Sequence, residues 1–398
     1  MIITPSKEKE MERTGFKAIF MRSVLQIVRR PIYWAAFFAL PLFIFFLMAD
    51  LMKEGLPYKV PAAIVDRDGS SMSRQISQTI GGMQLVDVTE DCNSFTQARH
   101  QMQEGKIFGY FLIPENFQQD LLSGRKPVVT FYTNMTYFIP ASMLLKTFQA
   151  TALYTKAGVT LNVLESVGAT EDVVTPLLLP VNVQTRAVHN PELSYPIYLC
   201  NSFIPCALQL MIFLITCFSL GQEVKYGTSV KLMRMARGSV LKAVAAKLLP
   251  QTIIWIVVAI FMESWLFGFN GYPMRGSWFW ITLSEVMFVL AAQGMALFFY
   301  CVLPNLRLAL SISALLGVLS FSLAAFSFPV ESMYPAMGIF SWILPTRYNF
   351  LIYIDQALNG IDIYYSRIWF VAYIIFMLLP FTMMWRLKKA FLRPAYVK

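Results

Sequence analysis

The chain has 398 residues, a formal net charge of +10, 57% hydrophobic residues and 14% charged residues. Soluble domains carry roughly 25% charged residues, so the composition excludes an ordinary soluble protein. About 20 apolar residues cross the hydrocarbon core of a bilayer as a helix. Six long apolar stretches therefore predict an α-helical integral membrane protein with transmembrane helices at 32–52, 197–220, 248–269, 278–303, 308–328 and 367–386.

Lysine and arginine are distributed unevenly between the connections of the six stretches. They gather before residue 31, between 225 and 247 and after 387, whereas the short loop on the opposite side has only Arg275. Because cytoplasmic segments retain positive charge, both termini are predicted to be cytoplasmic. We expect a multi-pass protein of the inner (plasma) membrane whose basic face also attracts anionic lipid. The basic composition thus requires no nucleic acid partner.

Residues 53–196 form a long insertion between the first and second stretches. Strand-like pieces occur at 62–66, 84–88, 109–114 and 128–132, and helix-like pieces lie between them at 70–80, 94–104 and 115–123. A longer helical pattern follows at 137–168. The insertion is predicted to be an α/β extracytoplasmic domain, periplasmic or extracellular.

Residues 1–31 are predicted to be a cytoplasmic tail that ends in an amphipathic helix, the elbow helix. The pattern is one apolar stripe at helical spacing, formed by Phe16, Ile19, Phe20, Val24, Ile27 and Val28. Two interpretations stay open: a helix that only anchors the chain at the lipid surface, or one that also contacts a cytoplasmic partner.

Motifs for catalysis or for cofactor binding are not found in the sequence. The two histidines, His100 and His189, lie far apart without the spacing of a metal site. The chain has neither a Gly-x-Ser-x-Gly elbow nor a Gly-x-x-x-x-Gly-Lys phosphate loop. We therefore expect no catalytic, metal-binding or cofactor-binding residues here, and any ATP must be bound by another chain.

The loop at 222–246 contains a specific motif. An acidic residue is followed by Gly-Thr four residues later, then by a basic stretch, a serine and a Lys-x-x-Pro start to the next span. The pattern resembles the permease subunits of type-2 ABC (ABC-2) transporters. Among them, the large insertion after the first span is most similar to the bacterial drug or envelope exporter branch. The chain departs from the pattern twice, because Gln222 replaces the usual arginine and Ala236-Arg237-Gly238 stands where a proline is usual before the serine. The matching residues are Glu223, Gly227, Thr228, Ser239, Lys247 and Pro250.

A second match lies at 326–360, which begins Phe-Ser-Phe-Pro and ends in Asn-Gly. Prolines at 329, 335 and 345 divide it into pieces too short to cross a bilayer. Broken backbone at membrane depth survives only where it packs against protein or lines a cavity. The resemblance implies a re-entrant pair of short helices at 329–360 that lines an outer gate. The alternative is an ordinary amphipathic outer loop.

The resemblance implies the partners and the site residues. Residues 197–398 become a five-helix transmembrane domain that pairs with a second permease and docks on ABC ATP-binding subunits, which use ATP and Mg²⁺. A periplasmic membrane-fusion adaptor is a further candidate partner. The expected contacts with the ATP-binding subunit are Arg22, Glu223, Gly227, Thr228, Lys231 and Arg234. The expected residues of the outer gate are Phe328, Pro329, Met333 and Pro335.

Two acidic residues, Glu263 and Glu285, fall inside predicted spans at similar depth. A charge there is costly unless it is paired or hydrated. The pair is predicted either to line a substrate path that attracts a cation, or to be neutralised by partners such as Arg275 or hydroxyl and indole donors.

The function implied is an exporter permease that moves a drug, a lipid-like molecule or an envelope component by alternating access. The main alternative is a membrane-anchored secretion accessory or receptor without transport activity. A membrane-embedded transferase is a third class, but it needs converging intramembrane His, Asp or Lys groups that the sequence does not contain.

Overall fold

The computed structural model describes residues 14–51, 59–83, 85–92, 94–123, 125, 127–137, 140–151, 195–324, 326 and 330–394. The chain divides into two compact units. One combines Met1–Gly55 with Ala187–Lys398, and the other is Leu56–Arg186. The first is the membrane unit and the second is the α/β unit.

The membrane unit begins with the elbow helix, Phe16–Arg29. Six helices in the described residues are long and apolar enough to cross a membrane, which confirms the predicted fold class. These spans, numbered one to six in chain order, are Pro31–Asp50, Leu199–Lys225, Val240–Phe269, Trp278–Val302, Leu306–Leu323 and Ile363–Leu392.

Three of the spans contain changes of helix type. Span 1 runs through Pro31–Trp34, the π-helical Ala35–Ala39 and Leu40–Leu51. Span 3 passes from the α-helix Val240–Ser264 into the π-helical Trp265–Phe269, and span 6 passes from Ile363–Leu378 through the 3₁₀ turn Leu379–Met383 into Met384–Leu392. Pro380 explains the 3₁₀ turn at Leu379–Met383, because proline has no backbone N–H to donate to the α-helical hydrogen-bond pattern.

The helices around the 222–246 loop are longer than the apolar stretches predict. The helix of span 2 covers Tyr195–Lys225, and the helix of span 3 already begins at Val240. The loop helix, Ser229–Met235, lies between them. Hydropathy detects only the apolar part of a helix, so the predicted span 2 ends before Glu223 and the predicted span 3 begins only after Lys247.

The segment between spans 5 and 6 contains the expected short helices. A 3₁₀ turn at Val330–Ser332 precedes the helices Pro335–Trp342 and Pro345–Ile352, and the π-helical Tyr353–Asn359 follows. Both short helices have proline in the first turn, where its missing N–H costs nothing.

Polar side chains and one glycine join the spans to one another. Gln251 Nε2 donates to Ser219 Oγ at 2.7 Å, between spans 3 and 2. Thr252 Oγ1 donates to Gln293 Oε1 at 2.6 Å, between spans 3 and 4. A Cβ at Gly294 would lie 2.6 Å from the Phe376 carbonyl oxygen, so spans 4 and 6 approach closely at this position. Apolar packing and these interhelical hydrogen bonds together hold the bundle.

The α/β unit contains a four-stranded sheet in the order β2-β1-β3-β4. The strands are β1 (Val60–Asp66), β2 (Val86–Asp91), β3 (Gly109–Ile113) and β4 (Thr130–Thr133), of which only β4 is antiparallel to its neighbour. The helices among its described residues are Ser71–Gly81, Phe95–Gln103, Phe117–Leu122 and 140–151.

Successive residues of β1 face opposite sides of the sheet, as the two-residue period of a strand requires. Ile64 packs in the same core as Ile76, whereas Val65 packs with Cys92 and Ala98. Both faces of the sheet are thus covered. The predicted helix at 137–168 is seen at 140–151, and its remainder lies outside the described residues.

Candidate functional site

A buried carboxylate, Glu223, lies in the last turn of the span 2 helix and is 2% exposed. Arg22 Nη2 donates to both of its oxygens, at 2.8 and 3.1 Å. Lys247 Nζ donates to Oε1 at 2.8 Å, and Thr228 Oγ1 donates to Oε2. Gln26 Nε2 lies 3.4 Å from Oε1. We call these five residues the Glu223 cluster.

The charges of the Glu223 cluster compensate one another. Lys247 is 2% exposed, so its ammonium group has almost no water, and it donates to Gln26 Oε1 at 3.1 Å as well as to Glu223. Arg22 is 20% exposed and supplies the second positive charge. Charge-assisted hydrogen bonds of this kind are about twice as strong as neutral ones. Removing any one member would leave a buried charge without its full set of partners.

The local sequence explains how the carboxylate is held. The helix ends at Lys225, and Gly227 has φ 66°, a left-handed conformation that favours glycine. The chain therefore turns back, and the Thr228 hydroxyl returns to Glu223. The acidic-x-x-x-Gly-Thr motif thus ends the helix, and the threonine hydroxyl donates a hydrogen bond to the carboxylate in the last turn of that helix.

Four segments meet at the Glu223 cluster: the elbow helix through Arg22, span 2, the start of the loop helix through Thr228, and span 3 through Lys247. Further contacts join the same elements. Arg30 Nη1 donates to Gln222 Oε1, and the Gly15 N–H donates to the Met235 carbonyl at 2.9 Å. The site is therefore a joint between elements.

The loop helix separates its buried and exposed residues clearly. Leu232 and Met233 are buried, and Ser229 Oγ donates to the Phe391 carbonyl oxygen at 3.0 Å, which ties the helix to the end of span 6. The opposite face is basic and exposed. We call it the basic face; its members, with those of the adjoining turns, are Lys225, Lys231, Arg234, Arg237 and Lys242.

The six predicted ATPase contacts thus fall into two groups. Lys231 and Arg234 lie exposed on the basic face, beside the exposed turn at Gly227. Arg22 and Thr228 instead donate to Glu223 within the chain. An ATPase contact stays a prediction for all six, and the internal contacts give the second group a structural role that the sequence did not indicate.

The elbow helix buries only part of its predicted apolar stripe against the rest of the chain, and no membrane is present to cover the remainder. Ile19 and Ile27 are buried as expected, but Phe16 and Val28 are about half exposed, at 46% and 55%. Ser23 is buried although it lies off the stripe. The polar face is not free either, because Arg22 and Gln26, one turn apart, reach Glu223. Helical periodicity alone could not show that a buried acid from span 2 occupies this face.

Sequence reasoning missed the roles of Gln26 and Lys247. Lys247 matches the Lys-x-x-Pro motif, but its pairing with Glu223 spans 24 positions of the chain. A lysine within an otherwise apolar turn, between Ala246 and Leu248, is the signal that could have indicated a buried partner.

Glu263 and Glu285 line a second feature of the membrane unit, the acidic cavity, which has a volume of about 40 Å³. Asn349 Nδ2 donates to Glu285 Oε1 at 2.7 Å. Glu263 is 6% exposed, and neither of its carboxylate oxygens has a hydrogen-bond partner in the described part of the chain. The predicted hydroxyl or indole donors thus do not pair with Glu263 here.

The expected gate residues are only partly covered by the structure. Met333 is half-buried, and Pro335 is exposed at the first position of the helix Pro335–Trp342. Phe328 and Pro329 lie outside the described residues. A gate role for the four residues stays a prediction.

Comparison with known proteins matches this architecture to one family. The model of the ABC-2 family transporter protein matches residues 31–383. The chain belongs to the ABC-2 transporter family. It is also 22% identical, over 83% of its length and 85% of the relative's, to the "Probable multidrug ABC transporter permease YbhS" of Escherichia coli strain K12, and equally to the protein of the same name in Escherichia coli O157:H7.

Family membership and the six spans have direct consequences. The chain is a multi-pass membrane protein and a transporter permease, not an enzyme by itself. ABC-2 permeases work with ATP-binding subunits, so the family implies partners of that kind. Within the described residues, no group of three or more His, Cys, Asp or Glu side chains is placed to hold a metal ion.

Proposed function

We propose that the chain is the permease subunit of an ATP-driven exporter in the inner membrane. Two permeases assemble around a central path, and two ATP-binding subunits dock on the elbow helix and the basic face. This face and both termini are cytoplasmic, and the α/β unit lies on the other side. The name of the Escherichia coli relative supports a drug as substrate, with lipid-like and envelope molecules as further candidates.

The observation that carries the proposal is the Glu223 cluster. The loop helix, which presents the basic face, starts directly after Thr228, and Thr228 binds the carboxylate that also holds Arg22 and Lys247. A displacement of the loop helix is therefore passed to the elbow helix and to spans 2 and 3 together. Packed elements of this kind move as rigid bodies in an alternating-access change.

We expect the displacement to reach the segment at 329–360, which contains the short helices. Leu344, Thr346 and Asn349 of this segment are buried. The Thr346 N–H donates to Gln209 Oε1 of span 2 at 3.1 Å. Span 2 thus links Glu223 to the short helices, and a rotation of the span moves them. This link supports the assignment of Phe328, Pro329, Met333 and Pro335 to an outer gate.

Charge reversal on the basic face tests the proposal. Lys231→Glu with Arg234→Glu should weaken the binding of the ATP-binding subunit by about tenfold and reduce ATP-driven transport in parallel, because interfacial charges steer and hold partners. Both side chains are exposed, so the fold should remain intact. Binding is measured with the purified permease in nanodiscs, at low and high salt.

Lys146→Glu is the matched control, since Lys146 is exposed in the α/β unit. It should leave binding and transport unchanged. Equal binding and transport by the double variant and the wild type would contradict the proposed docking face. A wild-type chain that binds no ATP-binding subunit and transports nothing would instead support the receptor or secretion accessory.

A further inference from the structure

The acidic cavity lies between spans 2, 3 and 4 and the short helix Pro345–Ile352. It is near the opposite end of span 3 from Lys247, about 24 Å away along the helix at 1.5 Å per residue. Most of its lining is apolar. Its polar and aromatic lining includes Asn201, Glu263, Phe267, Glu285, Asn349 and Tyr353.

Glu263 is an unusual group at this position. Its side chain is more than nine-tenths buried, and both oxygens lack a donor among the residues that the structure describes. Lysine, arginine and histidine are absent from the described lining. Burying a carboxylate without a partner is costly, and ionisable groups inside a membrane bundle commonly lie where a ligand binds or a charge must pass.

The aromatic lining complements the two acids. The rings of Phe267 and Tyr353 lie 6.2 Å apart, centroid to centroid. Asn201 Nδ2 donates to the Tyr353 hydroxyl at 3.2 Å, and this hydroxyl donates to the Ile197 carbonyl oxygen at 3.2 Å, so the tyrosine ring is held in place. Aromatic faces attract cations, and the attraction grows when water is excluded.

We propose that the acidic cavity binds the positively charged nitrogen of an organic cation, with Glu263 as the principal counter-charge and Glu285 as the second. This inference rests on the proposed transport function and names its substrate class. The volume of about 40 Å³ accommodates about three water molecules. In this conformation the cavity therefore receives a compact ammonium group, and the apolar body of the ligand lies outside it.

The proposal is tested by binding, without ATP. The probe is trimethylammonium-diphenylhexatriene, a rod-shaped fluorescent cation, and its uncharged parent diphenylhexatriene is the matched neutral ligand. Titration of the purified permease in nanodiscs, with empty nanodiscs subtracted, gives a Kd for each. Glu263→Gln should raise the Kd of the cation by at least about tenfold, because it removes a desolvated charge partner, and should leave the neutral ligand unaffected.

Two variants serve as controls. Glu263→Asp keeps the charge and should retain most of the cation binding. Asp50→Asn removes an exposed carboxylate at the end of span 1 and should bind like the wild type. Equal cation binding by Glu263→Gln and the wild type, or equal loss of the cationic and neutral probes, would overturn the inference. Displacement of the cation by sodium ions at matched ionic strength would also overturn it, in favour of an inorganic cation.

Failure of the proposed exporter function can be distinguished from failure of the proposed cation site. A permease that binds the cation through Glu263 but transports nothing with any ATP-binding subunit would contradict the exporter and leave the site intact. Conversely, ATP-driven transport that is unchanged by Glu263→Gln would support the exporter function and contradict the proposed cation site.

Discussion

Glu223 and Glu263 are both acidic and both almost completely buried, yet they have opposite surroundings. Glu223 receives hydrogen bonds from Arg22, Lys247 and Thr228. Neither oxygen of Glu263 has a partner in the described residues, and it borders a cavity. The charge of a buried carboxylate whose donors come from the chain itself is compensated within the fold, whereas one without donors is available to a group from outside the chain.

This difference divides the membrane unit into two working regions. The Glu223 cluster holds the elbow helix, spans 2 and 3 and the loop helix in one arrangement. The acidic cavity, between the same two spans and span 4, contains a carboxyl group without a hydrogen-bond partner in the described residues. The same change, glutamate to glutamine, should therefore lower the stability strongly at Glu223 and leave it unchanged or slightly raised at Glu263.

The largest effect is expected for Glu223→Gln. The change leaves the buried Lys247 ammonium without its anion, and breaking a buried ion pair on one side costs about 3 kcal/mol or more. Thermal unfolding of the permease in nanodiscs should show a large decrease in Tm. Lys231→Ala, at an exposed position, provides the reference value for a substitution nearby.

The double variant Glu223→Gln with Lys247→Met tests whether the loss of stability in Glu223→Gln comes from leaving Lys247 without its partner. It removes both charges, and replacing both partners by neutral groups of similar shape is often nearly neutral. We expect it to recover a large part of the stability that Glu223→Gln loses. A double variant as unstable as the sum of the two single variants would show that the two residues do not act as a pair.

Most of the fold could be predicted because apolar length and strand alternation are local signals. The cores of spans 3 and 4 were located within a few residues at their apolar ends, and β1 and β3 agree closely with the strand-like pieces at 62–66 and 109–114. The ends at Lys225 and Val240 were misplaced, since hydropathy falls at polar residues that continue a helix. The loop was consequently predicted too long.

The two sites were predictable to different extents. Glu263 and Glu285 were identified because an acid inside an apolar stretch is conspicuous in any sequence. Of the Glu223 cluster, Glu223, Thr228 and Lys247 were identified as motif residues. Its internal pairing depends on contacts between positions as distant as Arg22 and Glu223, and a single sequence does not show which positions pair.

Arg22→Ala should have an intermediate effect. Arg22 is partly exposed, and Lys247 and Thr228 would still bind Glu223 after its removal. We expect a loss of about 1 kcal/mol, typical of one charge-assisted hydrogen bond at a partly hydrated site. Added salt should reduce the difference between variant and wild type. A loss as large as that of Glu223→Gln would mean that the arginine, not Lys247, is the principal partner.

The smallest effect, and the decisive one, is expected for Glu263→Gln. Glutamine has nearly the same shape as glutamate, and the wild-type carboxylate has no donor to lose in the described structure. Replacing an uncompensated buried acid by a neutral amide should leave the free energy of unfolding unchanged or raise it by up to about 1 kcal/mol. Thermal unfolding without ligand measures this directly, beside Glu223→Gln. A clear loss of stability would show that Glu263 has a structural partner. The acidic cavity would then link its surrounding helices, as the Glu223 cluster does, and would not be a ligand site.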